Sequence, residues 1–121
     1  MKRILIIDDD ASMRFLLKSL LESAGYEVHE AKDGRAGVEL FAQRPAQIVI
    51  VDIFMPEKDG IETIGDIREK DASCKFLAIS GGGEMKNMDM LRYAKMLGAH
   101  EILEKPFSRD ELLSVIDRLS P

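Results

Sequence analysis

Acidic, hydroxyl and amino groups that belong together chemically lie far apart along this chain: the run Asp8-Asp9-Asp10, then Asp52, Ser80 and Lys105. Each follows an apolar stretch. Asp8 ends Ile4-Leu5-Ile6-Ile7, Asp52 ends Ile48-Val49-Ile50-Val51, Ser80 follows Phe76–Ile79, and Lys105 comes just after Glu101–Leu103. Carboxylates gathered in one pocket repel, and each resists ionising beside the others. A hard divalent cation removes that conflict. Mg²⁺ takes oxygen ligands, keeps several waters, and is satisfied by one or two carboxylates beside a phosphate. A lysine supplies a point charge for Asp52, or for a phosphoryl group placed on it. A serine hydroxyl donates to a phosphoryl oxygen. Taken singly, these residues are ordinary. A carboxylate after a strand is often a helix N-cap, which is how Asp10 is read. A lone lysine sits on a surface, and a lone serine sits in a turn. The argument for a site rests on their joint placement.

That placement depends on the elements that carry them. Strands are predicted at Arg3–Ile7, Glu27–Ala31, Ile48–Val51, Phe76–Ile79 and Glu101–Leu103. The cores of the first and third are apolar at every position, the pattern of a strand covered on both faces. Helical periods fill the gaps. Met13, Leu17, Leu20, Leu21 and Ala24 share one face of a first helix, which Gly25 stops. Arg35–Gln43, Ile61–Lys70 (Ile61, Ile64 and Ile67 inward) and Met88–Leu97 follow. Ser108, with Glu111 three residues on, is a capping box for a fifth helix whose Leu112, Leu113, Ile116 and Leu119 face the core. Five strands alternating with five helices imply an α/β fold, a doubly wound parallel sheet. The flavodoxin-like strand order 2-1-3-4-5 is favoured. In such sheets the functional crevice lies at the carboxyl ends of the strands, where all the polar residues named above fall.

Ile4-Leu5-Ile6-Ile7-Asp8-Asp9-Asp10, Asp52 through Gly60, Ile79-Ser80-Gly81, Gly98-Ala99 and Lys105-Pro106-Phe107 together resemble the receiver domain of two-component response regulators. The resemblance spans essentially the whole chain, so residues 1–121 are read as one such domain. It implies that Asp52 accepts a phosphoryl group from a histidine kinase or phosphotransfer protein. It implies Mg²⁺, with Mn²⁺ as a substitute, held by Asp8, Asp9, Asp52 and the backbone carbonyl of Phe54. Ser80 and Lys105 would bind the phosphoryl oxygens. Lys105-Pro106 would be a cis peptide, and Gly60 would serve the turn after the acceptor loop. Output would run through the face made by the fourth helix, fifth strand and fifth helix to a downstream protein target. No separate substrate turnover is implied.

The chain departs from the family at Ile102, where an aromatic residue is usual three positions before the lysine. The conformational signal is then expected in the glycine-rich stretch Ser80–Asn87. Phe54 and Gly82 cannot orient a hydrolytic water, so a long-lived phosphorylated form is expected. Met85, Met88 and Met96 form an arc suited to an adaptable partner surface, or fill the core. Phe15 lies opposite its helix's apolar stripe, as an exposed aromatic or a partner contact. His29 and His100 receive no role.

The balance of 17 basic against 22 acidic residues, a net charge of −5, lacks the basic stripe that direct nucleic-acid binding needs. No apolar run approaches membrane-spanning length, and the single Cys74 forms no internal disulfide; a cytoplasmic location is expected. No output segment follows the fifth helix before Pro121, so the chain reads as a stand-alone domain or one cut from a longer protein. Two rivals are weighed. Ile4–Asp10 also fits the opening of haloacid-dehalogenase-like phosphatases, with Asp8 as nucleophile, but the further acidic pair those enzymes carry after the lysine is missing. A receiver-like scaffold that takes no phosphoryl group would have lost one of Asp8, Asp9, Asp52, Ser80 and Lys105, and all are present.

Overall fold

The structure, a computed structural model, describes residues 2–52, 60–81 and 98–120. Five parallel strands form one sheet: β1 (Arg3–Ile7), β2 (Glu27–Ala31), β3 (Ile48–Asp52), β4 (Lys75–Gly81) and β5 (Glu101–Lys105), in the order β2-β1-β3-β4-β5. The helices among the described residues are α1 (Ala11–Ser23), α2 (Gly34–Gln43), α3 (Gly60–Lys70) and α4 (Arg109–Leu119). The helix expected at Met88–Leu97 lies outside the described residues, so α4 is the helix read from sequence as the fifth. The doubly wound arrangement and its strand order are as the alternation implied.

Period-two alternation divides the strand residues between two cores. Leu5, Ile7, Val49, Val51, Phe76 and Ala78 pack with Phe41 of α2 and with Ile64 and Ile67 of α3. Ile4, Ile6, Ile48, Ile50, Leu77, Ile79 and Leu103 pack with Leu17 and Leu21 of α1 and with Leu112, Val115, Ile116 and Leu119 of α4. Burial on both faces is why β1 and β3 are apolar throughout.

The caps explain where the helices begin. Asp10 caps α1, its Oδ1 accepting from Ser12 N at 2.9 Å. Asp33 caps α2, accepting from Ala36 N at 2.8 Å. Ser108 and Glu111 exchange side-chain and backbone bonds at 3.0 Å, completing the capping box. Gly25, at φ +96°, turns the chain out of α1 in the left-handed region that glycine enters without strain.

Several expectations are corrected. Ala24 is exposed: it is the C-cap of α1, where the backbone has already left the helix. Leu113 is only partly buried, at the rim of its core, and Val115 is buried in its place. β4 and β5 extend beyond the ranges read from sequence, so Ser80 and Lys105 lie within strands and not after them. The reason is that Ser80 pairs with Glu104, and Gly81 with Lys105, continuing the ladder. Ile61 is the second residue of α3, and the inward orientation expected of its side chain lies outside the described residues.

Candidate functional site at the carboxyl ends of the strands

β1 and β3 are neighbours, in register from Ile4↔Ile48 to Ile7↔Val51. Asp8 and Asp52 therefore emerge side by side. Ile6, Ile50 and Leu103 face α1 and α4; two residues further along, Asp8, Asp52 and Lys105 keep that same side by strand alternation. Ligand oxygens of Asp8, Asp9 and Asp52 all lie within 4.8 Å of one another, Asp8 and Asp52 buried and Asp9 exposed. Lys105 Nζ stands 3.9 Å from Asp52 Oδ2 and 4.0 Å from Asp8 Oδ2, between the two buried carboxylates. Lys105-Pro106 is a cis peptide.

Asp8 is the most constrained of the set. Its N–H donates to Ala31 O at 3.1 Å, carrying the β1–β2 ladder one step past the strand. Its Oδ1 accepts from Asp10 N–H at 2.9 Å, which leaves Oδ2 facing Lys105. Burial raises the Asp8 carboxyl above the ordinary aspartate value of 3.8, and the charges of Asp9 and Asp10 add to this; the Asp10 N–H and the Lys105 ammonium oppose it. A buried acid among other acids is a place where a cation lowers the free energy of the charged form. Three carboxylates of hard oxygen character, one reaching solvent, fit Mg²⁺ with retained waters. They do not fit a soft metal, which would ask for thiolate or imidazole.

The backbone of Ser80 sits one residue beyond the Asp52↔Ile79 pair, on the strand next to β3. Phe54, whose carbonyl was expected as a ligand, and the glycines at 82 and 83 lie outside the described residues, as do Met85, Met88 and Met96. Ile102 packs against the α2–α3 core, partly buried. Phe15 is 74% exposed, as expected, and Leu16 beside it is also exposed.

Arg14 and His100 take parts that the sequence did not disclose. Arg14 Nη1 donates to the carbonyl of Asp8 at 2.7 Å. His100 Nδ1 accepts the Phe76 N–H at 3.0 Å, while His100 N–H donates to Phe76 O at 2.9 Å and the two rings lie nearly parallel. Neither contact has a spacing signal, because each depends on where a side chain ends after folding. No helix among the described residues is long and apolar enough to cross a membrane.

The chain matches the response regulator receiver domain family over residues 4–117. It is 38% identical to the chemotaxis protein CheY of Thermotoga maritima over 120 residues, covering 98% of each chain. Among solved structures it is similar to the chemotaxis protein CheY4 of Vibrio cholerae (TM-score 0.88, 29% identity, 98% of each chain). It is also similar to the response regulator TrrA of Thermotoga maritima in complex with Mg²⁺ and BeF (TM-score 0.83, 34% identity, 98% of this chain and 99% of that one).

Proposed function

Because this chain belongs to the response regulator receiver domain family, we infer that residues 1–121 form a phosphorylation-dependent signalling switch with Asp52 as phosphoacceptor. The observation that carries this is the convergence of Asp8, Asp9, Asp52 and Lys105 at one end of the sheet. The donor is a phosphohistidine on a histidine kinase or phosphotransfer protein. An Asp52 carboxylate oxygen attacks phosphorus in line, the bond to the imidazole nitrogen breaks, and its electron pair stays with the imidazole. Such transfer asks the protein mainly for positioning and charge stabilisation. Mg²⁺, or Mn²⁺ in its place, would be held by Asp8, Asp9, Asp52 and the Phe54 carbonyl, and would neutralise phosphoryl charge. Lys105 moves from pairing with carboxylates to pairing with a phosphoryl oxygen, and Ser80 donates to another. The acyl phosphate then biases an existing equilibrium between two forms of the domain.

The product of the switch is altered binding to a downstream protein, through the face that includes β5 and α4. Arg118 Nη2 ties these two elements to each other through Glu101 Oε1 at 3.0 Å. No separate substrate is turned over, no nucleic acid is bound directly, and the site of action is the cytoplasm.

Incubation with Mg²⁺ and acetyl phosphate, followed by intact mass measurement, tests the reading. The wild type gains one phosphate and Asp52→Ala gains none. A gain that persists in Asp52→Ala and vanishes in Asp8→Ala would move the nucleophile to Asp8 and overturn it. So would a wild type that neither gains mass nor binds beryllofluoride.

A further inference from the structure

Arg14, one turn into α1, uses its guanidinium in two directions. Nη1 donates to the carbonyl of Asp8 at 2.7 Å, and Nε donates to Glu30 Oε1 on β2 at 2.9 Å. The Arg14 side chain is 16% exposed and its bond to the Asp8 carbonyl is partly buried, whereas its bond to Glu30 is open to solvent. Glu30 is held on its other oxygen by Lys18 Nζ at 3.7 Å. The ladder pairs of β1 end at Ile7, so the Asp8 carbonyl points beyond the registered sheet. Arg14 supplies the donor that an adjacent strand would otherwise supply.

Asp8 is thereby held at three of its polar groups. Its N–H is bonded to Ala31, its carbonyl to Arg14, and its Oδ1 to Asp10 N–H. The carbonyl belongs to the same planar unit as the Asp9 N–H, so fixing it also fixes the direction in which the chain enters Asp9.

We propose that Arg14 is a positioning residue for the acidic pocket: itself bonded to Glu30, it holds the Asp8 carbonyl and so sets the peptide joining Asp8 to Asp9, and with it the aim of both carboxylates toward a Mg²⁺ ion. This rests on the metal role inferred above and deepens it. Arg14 addresses the backbone, while Lys105 addresses the carboxylates, so the two cations have separate tasks. Partners that hold a ligand from behind commonly matter for metal affinity as well as for stability. A role confined to joining α1 to β2 would affect stability alone.

The test is a Mg²⁺ titration by calorimetry of the wild type, Arg14→Met, Arg14→Lys and Glu30→Gln, with amide exchange at Asp10 measured in the absence of metal. Arg14→Met is expected to weaken Mg²⁺ binding about tenfold or more, and to speed exchange of the Asp10 amide. Arg14→Lys keeps one donor and recovers to within about threefold of wild type, and Glu30→Gln, which leaves the guanidinium in place, stays within about threefold. The initial rate with acetyl phosphate falls in Arg14→Met at limiting Mg²⁺ and converges on the wild-type rate at saturation. A folded Arg14→Met with wild-type Mg²⁺ affinity overturns the inference. A loss in Glu30→Gln equal to that in Arg14→Met also overturns it, and assigns the pair to fastening α1 to β2. If Arg14→Met fails to fold, Arg14→Gln takes its place with the same expected loss and the same overturning result. A wild type that binds no Mg²⁺ defeats the function inferred above and this inference with it; a wild type that binds Mg²⁺ beside an equally binding Arg14→Met defeats this inference alone.

Discussion

At Asp8, folding and ionisation oppose each other. The folded carboxyl has its pKa raised above the 3.8 of an ordinary aspartate, chiefly by burial. A group with a raised folded pKa stabilises the fold fully below its unfolded value, and that contribution fades as pH rises through the folded value. Once ionised, Asp8 is a charged, buried group beside Asp9 and Asp10, only partly offset by Lys105 and the Asp10 N–H. Asp8→Asn keeps an oxygen for the Asp10 N–H and removes the charge. Its melting temperature in EDTA at pH 7 is expected to rise by a few degrees, equivalent to about 1 kcal/mol. The gain should shrink as pH falls and wild-type Asp8 takes up its proton. A lower melting temperature at pH 7 would show that burial is not what raises the Asp8 carboxyl. The carboxylates and the lysine were legible in the sequence because each follows an apolar strand core. Arg14 was not, because on α1 it is one polar residue among several until the fold brings its guanidinium to Asp8.

At the scale of elements, α2 approaches β1 through a glycine. A Cβ on Gly37 would stand 2.7 Å from Ile7 Cγ1, and Ile7 is completely buried. Gly37→Ala should gain up to about 1 kcal/mol of helix propensity and lose more, about 1–3 kcal/mol, to overpacking. The expected net result is a lower urea midpoint at unchanged slope; a raised midpoint would mean that α2 can lift from the sheet at little cost. The start of β5 has a different dependence. The pKa of His100 is lowered from 6.5 by burial first, then by the charges of Lys75 and Arg68, with Glu101 opposing. Its neutral Nδ1 is the acceptor for the Phe76 N–H. A histidine with a depressed folded pKa contributes stability above about pH 6.5, the unfolded value, and that contribution is lost as pH falls through the folded value. His100→Asn retains an acceptor that does not titrate. The urea midpoint of the wild type should fall more between pH 7 and pH 5.5 than that of His100→Asn, and parallel curves would refute the assignment. The helices and strands themselves were legible through apolar period, caps and glycine stops. Strand ends were less so: β4 and β5 run on through Ser80 and Lys105 because each provides the other's ladder partner, and a single strand read alone carries no record of its neighbour.

At the scale of the whole molecule, the two cores lie on opposite faces of the sheet, and the acidic pocket sits at the sheet's end. A ligand that binds the folded form alone stabilises it by mass action, about 2.7 kcal/mol at a free concentration one hundred times its dissociation constant. Mg²⁺ should therefore raise the melting temperature of the wild type progressively and EDTA should reverse the rise. Asp8→Asn should begin higher and respond little. A wild type indifferent to Mg²⁺ would remove the cation from the pocket.

The fold class, the strand order and the cluster of Asp8, Asp9, Asp52 and Lys105 were determined by the sequence alone. Alternation of strand and helix, right-handed crossovers and strand-end placement are local or topological rules that leave few arrangements. Only the tertiary structure decided which oxygen of Asp8 is occupied and which faces Lys105, that Arg14 reaches around to the Asp8 carbonyl, and that His100 completes the Phe76 backbone. These depend on side-chain rotamers meeting across elements distant in the chain. Their distances are set by the packing of two cores, which no spacing in the sequence encodes.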